Sequence, residues 1–263
     1  MDIRPIFYVI GILLCTLAAG MVLPIIADLS VGNDDWKIFL ISMIFINFIG
    51  GAMILINRGH EFHLSIRQTF LLTTLSWIVL AIAASLPFYF SNMDMSLTDS
   101  LFEAISGITT TGSTVIIGLD NAPPGILLWR AILQWLGGIG IIVMALSVLP
   151  FLKVGGMQLF QTESSENEKA LPRATQLAAS IGIVYLILTL LCALSYRFAG
   201  LSGFNALAHA MTTIATGGFS TFDASFSAFD TAWAETAHFY DTRSVEGYQR
   251  HNAVQSSDEY GCS

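Results

Sequence analysis

Two short stretches carry hydroxyls and glycine inside an otherwise apolar sequence. From Thr109 to Thr114 the residues are three threonines, Gly112, Ser113 and Thr114, without a single charge. β-Branched residues and glycine are poor helix formers, so this run cannot prolong the helix suggested by Leu101 to Ile108. What it offers is oxygen, on backbone carbonyls and small hydroxyls. The pattern returns at Ala215, Thr216, Gly217 and Gly218, with Thr216 and Gly217 falling on Thr111 and Gly112 at a spacing of 105 residues. Rings of carbonyl oxygens replace the water shell of a cation, and glycine permits the backbone angles that aim them to one side. Thr110, Thr111, Gly112 and Ser113 are therefore expected to form one wall of a cation path. Ala215, Thr216, Gly217 and Gly218 are expected to form a second. One such pair is ordinary turn chemistry; two in register after matching helices are not.

The remaining sequence tells what must position these walls. Of the 263 residues, 54% are hydrophobic and 11% charged, whereas a soluble domain carries about 25% charged residues. That composition is a membrane protein's. Five runs, 6–27, 36–56, 70–90, 126–150 and 176–198, reach the roughly 20 apolar residues that cross a hydrocarbon core of about 30 Å. The first is too long for a signal-peptide core and reads as a retained helix. With the N-terminus in the cytoplasm, Arg4, Arg58, Arg67, Lys153, Lys169 and Arg173 lie inside and only Lys37, Arg130 and Arg197 outside, as the positive-inside rule requires. The acidic 91–125 connection then faces out, where it would concentrate cations.

Residues 97–108 make a helix of about 18 Å, half a membrane, capped by Ser96 or Thr98. Both of its flanks must lie outside, so 97–114 is a re-entrant loop. Its non-helical return is tolerable only against water or protein. Span 70–90, loop 97–114 and span 126–150 form one helix–pore-loop–helix unit; span 176–198, half-helix 202–213 and return 214–221 begin a second. Each unit crosses twice, so the repeats run parallel about an axis along the membrane normal. The fold class is an all-α polytopic membrane protein with five transmembrane helices and two re-entrant pore half-helices. Its regions are a leading pair of helices (1–68), the first repeat with a cytoplasmic loop (69–175), a partial second repeat (176–235) and a polar, disordered tail (236–263).

Several conspicuous residues have plain readings. Gly137, Gly138 and Gly140 allow close helix packing. Arg130 is expected to snorkel to the headgroups, the alternative being a pair with Glu103 or Asp120. Glu103 is expected in a surface or interhelical hydrogen bond, and His209 as a satisfied buried histidine. No Gly-rich phosphate loop, His or Cys ligand cluster or activated serine is present, which excludes an enzyme and implies no cofactor. A net charge of −8 without a basic patch excludes nucleic acid. Cys15, Cys192 and Cys262 stand too far apart to imply a disulfide or metal framework.

Phe102 to Thr114, Gln134 to Gly140, Gly155 to Phe160 and Ala215 to Ser220 together resemble the Trk-type potassium uptake proteins, specifically the TrkH membrane-subunit family. The resemblance covers residues 1–235. It implies two leading helices and four helix–pore-loop–helix repeats around one potassium pathway in the bacterial inner membrane. It also implies a homodimer in lipid and a cytoplasmic nucleotide-binding regulatory subunit of the TrkA type, with K+ as the transported ion. The family's filter maps onto Thr110, Thr111, Gly112 and Ser113, and onto Ala215, Thr216, Gly217 and Gly218, with K+ at Thr111, Gly112, Thr216 and Gly217. In related plant transporters Ser in place of the first filter glycine accompanies sodium preference, so Gly112 implies potassium. From Thr236 to Ser263 no Leu, Ile or Met occurs, unlike the family, and the expectation is a truncated or frame-shifted reading frame. The alternatives to potassium uptake are then a non-conducting membrane fragment, or a transporter of sodium or another monovalent cation.

Overall fold

A computed structural model describes residues 3–59, 65–148 and 170–225, all of whose regular structure is helical. The 155–160 motif, most of the cytoplasmic loop and the 236–263 tail lie outside these residues. The first apolar run forms two helices, α1 (Arg4–Gly20) and α2 (Val22–Val31), which meet at Met21. Pro24 accounts for the break: it has no N–H for the Gly20 carbonyl and its ring crowds that oxygen. After Gly32, left-handed at φ 73°, come α3 (Trp36–Ile56) and α4 (Ile66–Phe90). Ser65 Oγ accepts from the Gln68 N–H while Gln68 Oε1 accepts from the Ser65 N–H, a reciprocal cap that fixes the start of α4.

Next is the half-length α5 (Leu97–Ile108), then α6 (Pro124–Val148), α7 (Ala170–Phe198) and a second half-length helix, α8 (Gly203–Ile214). The segments long and apolar enough to span are α1 with α2, α3, α4, α6 and α7. α4 packs on α5, α7 packs on α8, and α6 lies against both half-helices. The five spans and the two half-helices are those expected, the second half-helix lying at 203–214 and not at 202–213.

α6 is the hub because its first part is buried nearly all round: Ile126, Trp129, Arg130, Leu133 and Gln134 are almost fully enclosed. Trp129 meets the edge of Phe39 at 6.1 Å between ring centroids and donates to the Ala84 carbonyl at 3.0 Å. The start of α6 is held from far away, where Asp28 Oδ1 accepts the Gly125 N–H at 2.7 Å. A Cβ on Gly125 would run into that carboxylate, so the close approach needs glycine. By contrast α7 exposes Ile183, Ile187, Leu190, Leu191 and Leu194, a face suited to lipid tails.

Candidate cation filter

The two half-helices begin and end alike. Ser96 Oγ accepts the Asp99 N–H at 3.1 Å, and Ser202 Oγ accepts the Asn205 N–H at 3.2 Å. At the other end Thr110 N–H donates to Gly107 O (3.0 Å) and Thr111 N–H to Ser106 O (2.9 Å). Thr216 N–H donates to Thr213 O and Gly217 N–H to Thr212 O, both at 2.9 Å. This paired-bond C-cap requires a left-handed residue just past the helix, normally glycine. Here that residue is a threonine both times, Thr110 at φ 56° and Thr216 at φ 55°. A β-branched residue in that region is an outlier costing about 1–3 kcal/mol. Gly112 (φ 80°) and Gly218 (φ 74°) follow as a second left-handed pair.

These matches correct the expected register. Thr110 pairs with Thr216 and Gly112 with Gly218, 106 residues apart, as are the caps Ser96 and Ser202. Matching one Thr-Gly dipeptide to the other slipped the alignment by one, because the second return has glycine at both 217 and 218. Gly217 is thus the counterpart of Thr111, and Ala215 that of Thr109. Thr111 and Thr216 are exposed, Thr110, Ser113 and Gly218 half-buried, and Gly112, Ala215 and Gly217 buried.

The glycines of α6 admit both half-helices. A Cβ on Gly137 would overlap the Ile108 carbonyl at the end of α5. One on Gly138 would press at 3.1 Å on Ala215, and at 2.6 Å on the Tyr185 hydroxyl. Close packing is therefore the role of Gly137 and Gly138, as expected, whereas a Cβ on Gly140 would meet nothing within 4 Å. The two returns also touch, since a Cβ on Gly112 would overlap the Gly217 carbonyl.

Arg130 does not snorkel. It is 1% exposed, and its Nε donates to Glu103 Oε1 at 2.7 Å. Its charge is met inside the bundle by Glu103, itself 0% exposed. Glu103 also accepts from the Thr114 hydroxyl (3.0 Å) and the Val115 N–H (3.1 Å). Arg130 NH1 donates to Ser220 O at 2.8 Å, and its guanidinium lies 4.1 Å from the Phe219 ring centroid. One turn along, Gln134 donates to Gly217 O at 2.8 Å and accepts from the Phe219 N–H at 3.1 Å. His209, the counterpart of Glu103, holds the Thr221 hydroxyl at 3.1 Å and is buried and bonded as expected. Asp223 Oδ1 accepts the Gly118 and Leu119 N–H groups, both at 3.0 Å. Sequence reasoning missed Gln134, Asp223 and Asp28. For Gln134 a signal existed: an amide in mid-membrane needs partners.

Outside the spans, Asp35 accepts from Asn92 Nδ2 at 2.5 Å. Burial pushes its carboxyl above the ordinary carboxylate range, with the Asn92 hydrogen bonds opposing.

Paired half-helices with strained returns, set around a glycine-bearing central helix in a five-span bundle, define a multi-pass membrane protein. The family model for TrkH, described as a cation transport protein, matches residues 36–239. The chain belongs to that family. The Trk system potassium uptake protein TrkH of Halomonas elongata is 42% identical over 239 residues, which cover 89% of this chain and 50% of that protein. The Escherichia coli protein of the same name is 39% identical over 240 residues, covering 90% and 50%. The crystal structure of the potassium transporter TrkH from Vibrio parahaemolyticus aligns with a TM-score of 0.81 at 39% identity, covering 90% of this chain and 48% of that one. The chain spans about half the length of these relatives.

Proposed function

We propose that the two returns are two walls of a potassium-selective filter in a passive or gated uptake path. Thr110 to Ser113 form one wall and Thr216 to Phe219 the structurally matched other. The observation that supports this most is the pair of threonines held left-handed at equivalent positions. Strain kept twice at one place, where glycine would relieve it, marks a site that needs a particular backbone shape. Left-handed Thr110 and Gly112, with a residue of ordinary φ between them, turn the carbonyls of the return away from the helical direction. Gly217 contributes less freely, because Gln134 occupies one lone pair of its carbonyl.

The C-terminal ends of α5 and α8 bear partial negative charge, which suits a cation and repels an anion. On this reading K+ is cargo. The remaining walls come from sequence that the relatives carry beyond this length. The path works in the bacterial inner membrane within a homodimer, with a cytoplasmic nucleotide-binding subunit docked on the 151–175 loop. The test is uptake of rubidium, as a potassium tracer, against sodium. It uses a potassium-uptake-deficient bacterium expressing a chain of the relatives' length with Gly112→Ser. Selectivity for potassium should fall; an unchanged ratio overturns the filter assignment.

A further inference from the structure

We infer that the buried Glu103–Arg130 pair, with Gln134 beside it, is a cross-brace that fixes the first return relative to the second. The chain of contacts is continuous. Thr114 and Val115 of the first return are held by the Glu103 carboxylate, Glu103 is held by Arg130, and Arg130 holds the Ser220 carbonyl of the second. Gln134 lies four residues further on, on the same face of α6, and grips the second return at Gly217 O and Phe219 N–H. α6 thus bonds the second return directly, at Ser220, Gly217 and Phe219, and the first through Glu103.

Stability alone does not account for these residue types. A buried ion pair is matched or bettered by apolar residues of similar volume, because desolvation offsets the Coulombic gain. What an apolar pair cannot do is direct a carboxylate to one segment and a guanidinium to another. The planar fork of arginine serves two acceptors at fixed angles, which the point charge of lysine cannot. Glu103 and Arg130 are therefore positioning residues, acting through the returns and not on the ion.

The purpose of this brace rests on the filter reading, so its test reads position without reference to ions. The full chain in lipid nanodiscs is followed by hydrogen exchange over 109–118 and 216–223, alongside its thermal midpoint. The double variant Glu103→Gln with Arg130→Met leaves no buried charge unpaired, so its midpoint should stay close to wild type. Its exchange should nevertheless quicken in both returns, by about tenfold or more, as bonds to charged groups are lost. A double variant with wild-type exchange in both returns overturns the brace.

If the double variant fails to fold, Arg130→Lys decides, since it keeps the charge and the Glu103 contact. Exchange should then quicken over 216–223 while 109–118 stays as in wild type. No change, or an equal rise in every helix, overturns the inference. Failure of the filter is separate: it shows as an unchanged ion ratio in Gly112→Ser while the exchange results stand.

Discussion

Replacing Gly112 by serine perturbs the candidate filter in two ways. The residue is left-handed, at φ 80°, where an L side chain costs about 1–3 kcal/mol. The added Cβ also overlaps the Gly217 carbonyl across the junction of the two returns. The backbone can shed the first cost only by rotating, and the second only by pushing the other return away. Either motion spoils carbonyl aim. If the strain falls wholly on the potassium-occupied geometry, about 1–3 kcal/mol corresponds to a loss of roughly 5- to 150-fold in preference. The assay is the ratio of rubidium to sodium uptake at matched membrane abundance, in a chain of the relatives' length. A ratio within twofold of wild type, with protein in the membrane, would refute the reasoning from φ and overlap together.

Three further expectations follow from other features. Thr110→Gly removes a strain of about 1–3 kcal/mol at an entropic cost of about 0.5–1 kcal/mol; the thermal midpoint of the purified chain should rise, and a fall would show that Thr110 is unstrained. Asp35, outside the spans, keeps its proton more tightly folded than unfolded, so its contribution is fully present below the ordinary carboxylate value and is lost as pH rises through the raised one. Asp35→Asn should accordingly raise the midpoint at pH 7 and leave it nearly unchanged near pH 3, and equal shifts at both would contradict the assignment. Cysteines at Asp94 and Asn57 should label differently with an impermeant thiol reagent on intact cells, Asp94→Cys reacting and Asn57→Cys not; the reverse pattern inverts the topology.

Much of this architecture is legible in one sequence. Apolar run length marks the spans, since a hydrocarbon core sets a hard length scale. Ser96 and Ser202 mark the half-helix starts, because a cap is a local contact. Register was less legible: Thr-Gly identity pointed to one frame, and only backbone sign at Gly112 and Gly218 fixes the other. The caps, 106 residues apart, carry the correct frame once the structure selects Ser96 over Thr98. Arg130 could not be placed from sequence, because its distance from Glu103 depends on how α5 leans on α6. Asp28 and Asp223 satisfy backbone N–H groups 97 and 105 residues away, and nothing in their neighbourhood announces a partner at such range.

Those long-range bonds bear on the order in which the protein is made. Glu103 lies 27 residues before Arg130, so the partner of the one charge on α6 is synthesised first. Gln134 has no such early partner, for Gly217 and Phe219 lie 83 and 85 residues downstream. Asp223 reaches Gly118 and Leu119 later still. At about 5–20 residues per second of synthesis, the first return waits on the order of ten seconds before the second arrives to hold it. During that interval it keeps the bonds made by its own half-helix, at Ser106, Gly107 and Glu103, and lacks those from Asp223 to Gly118 and Leu119.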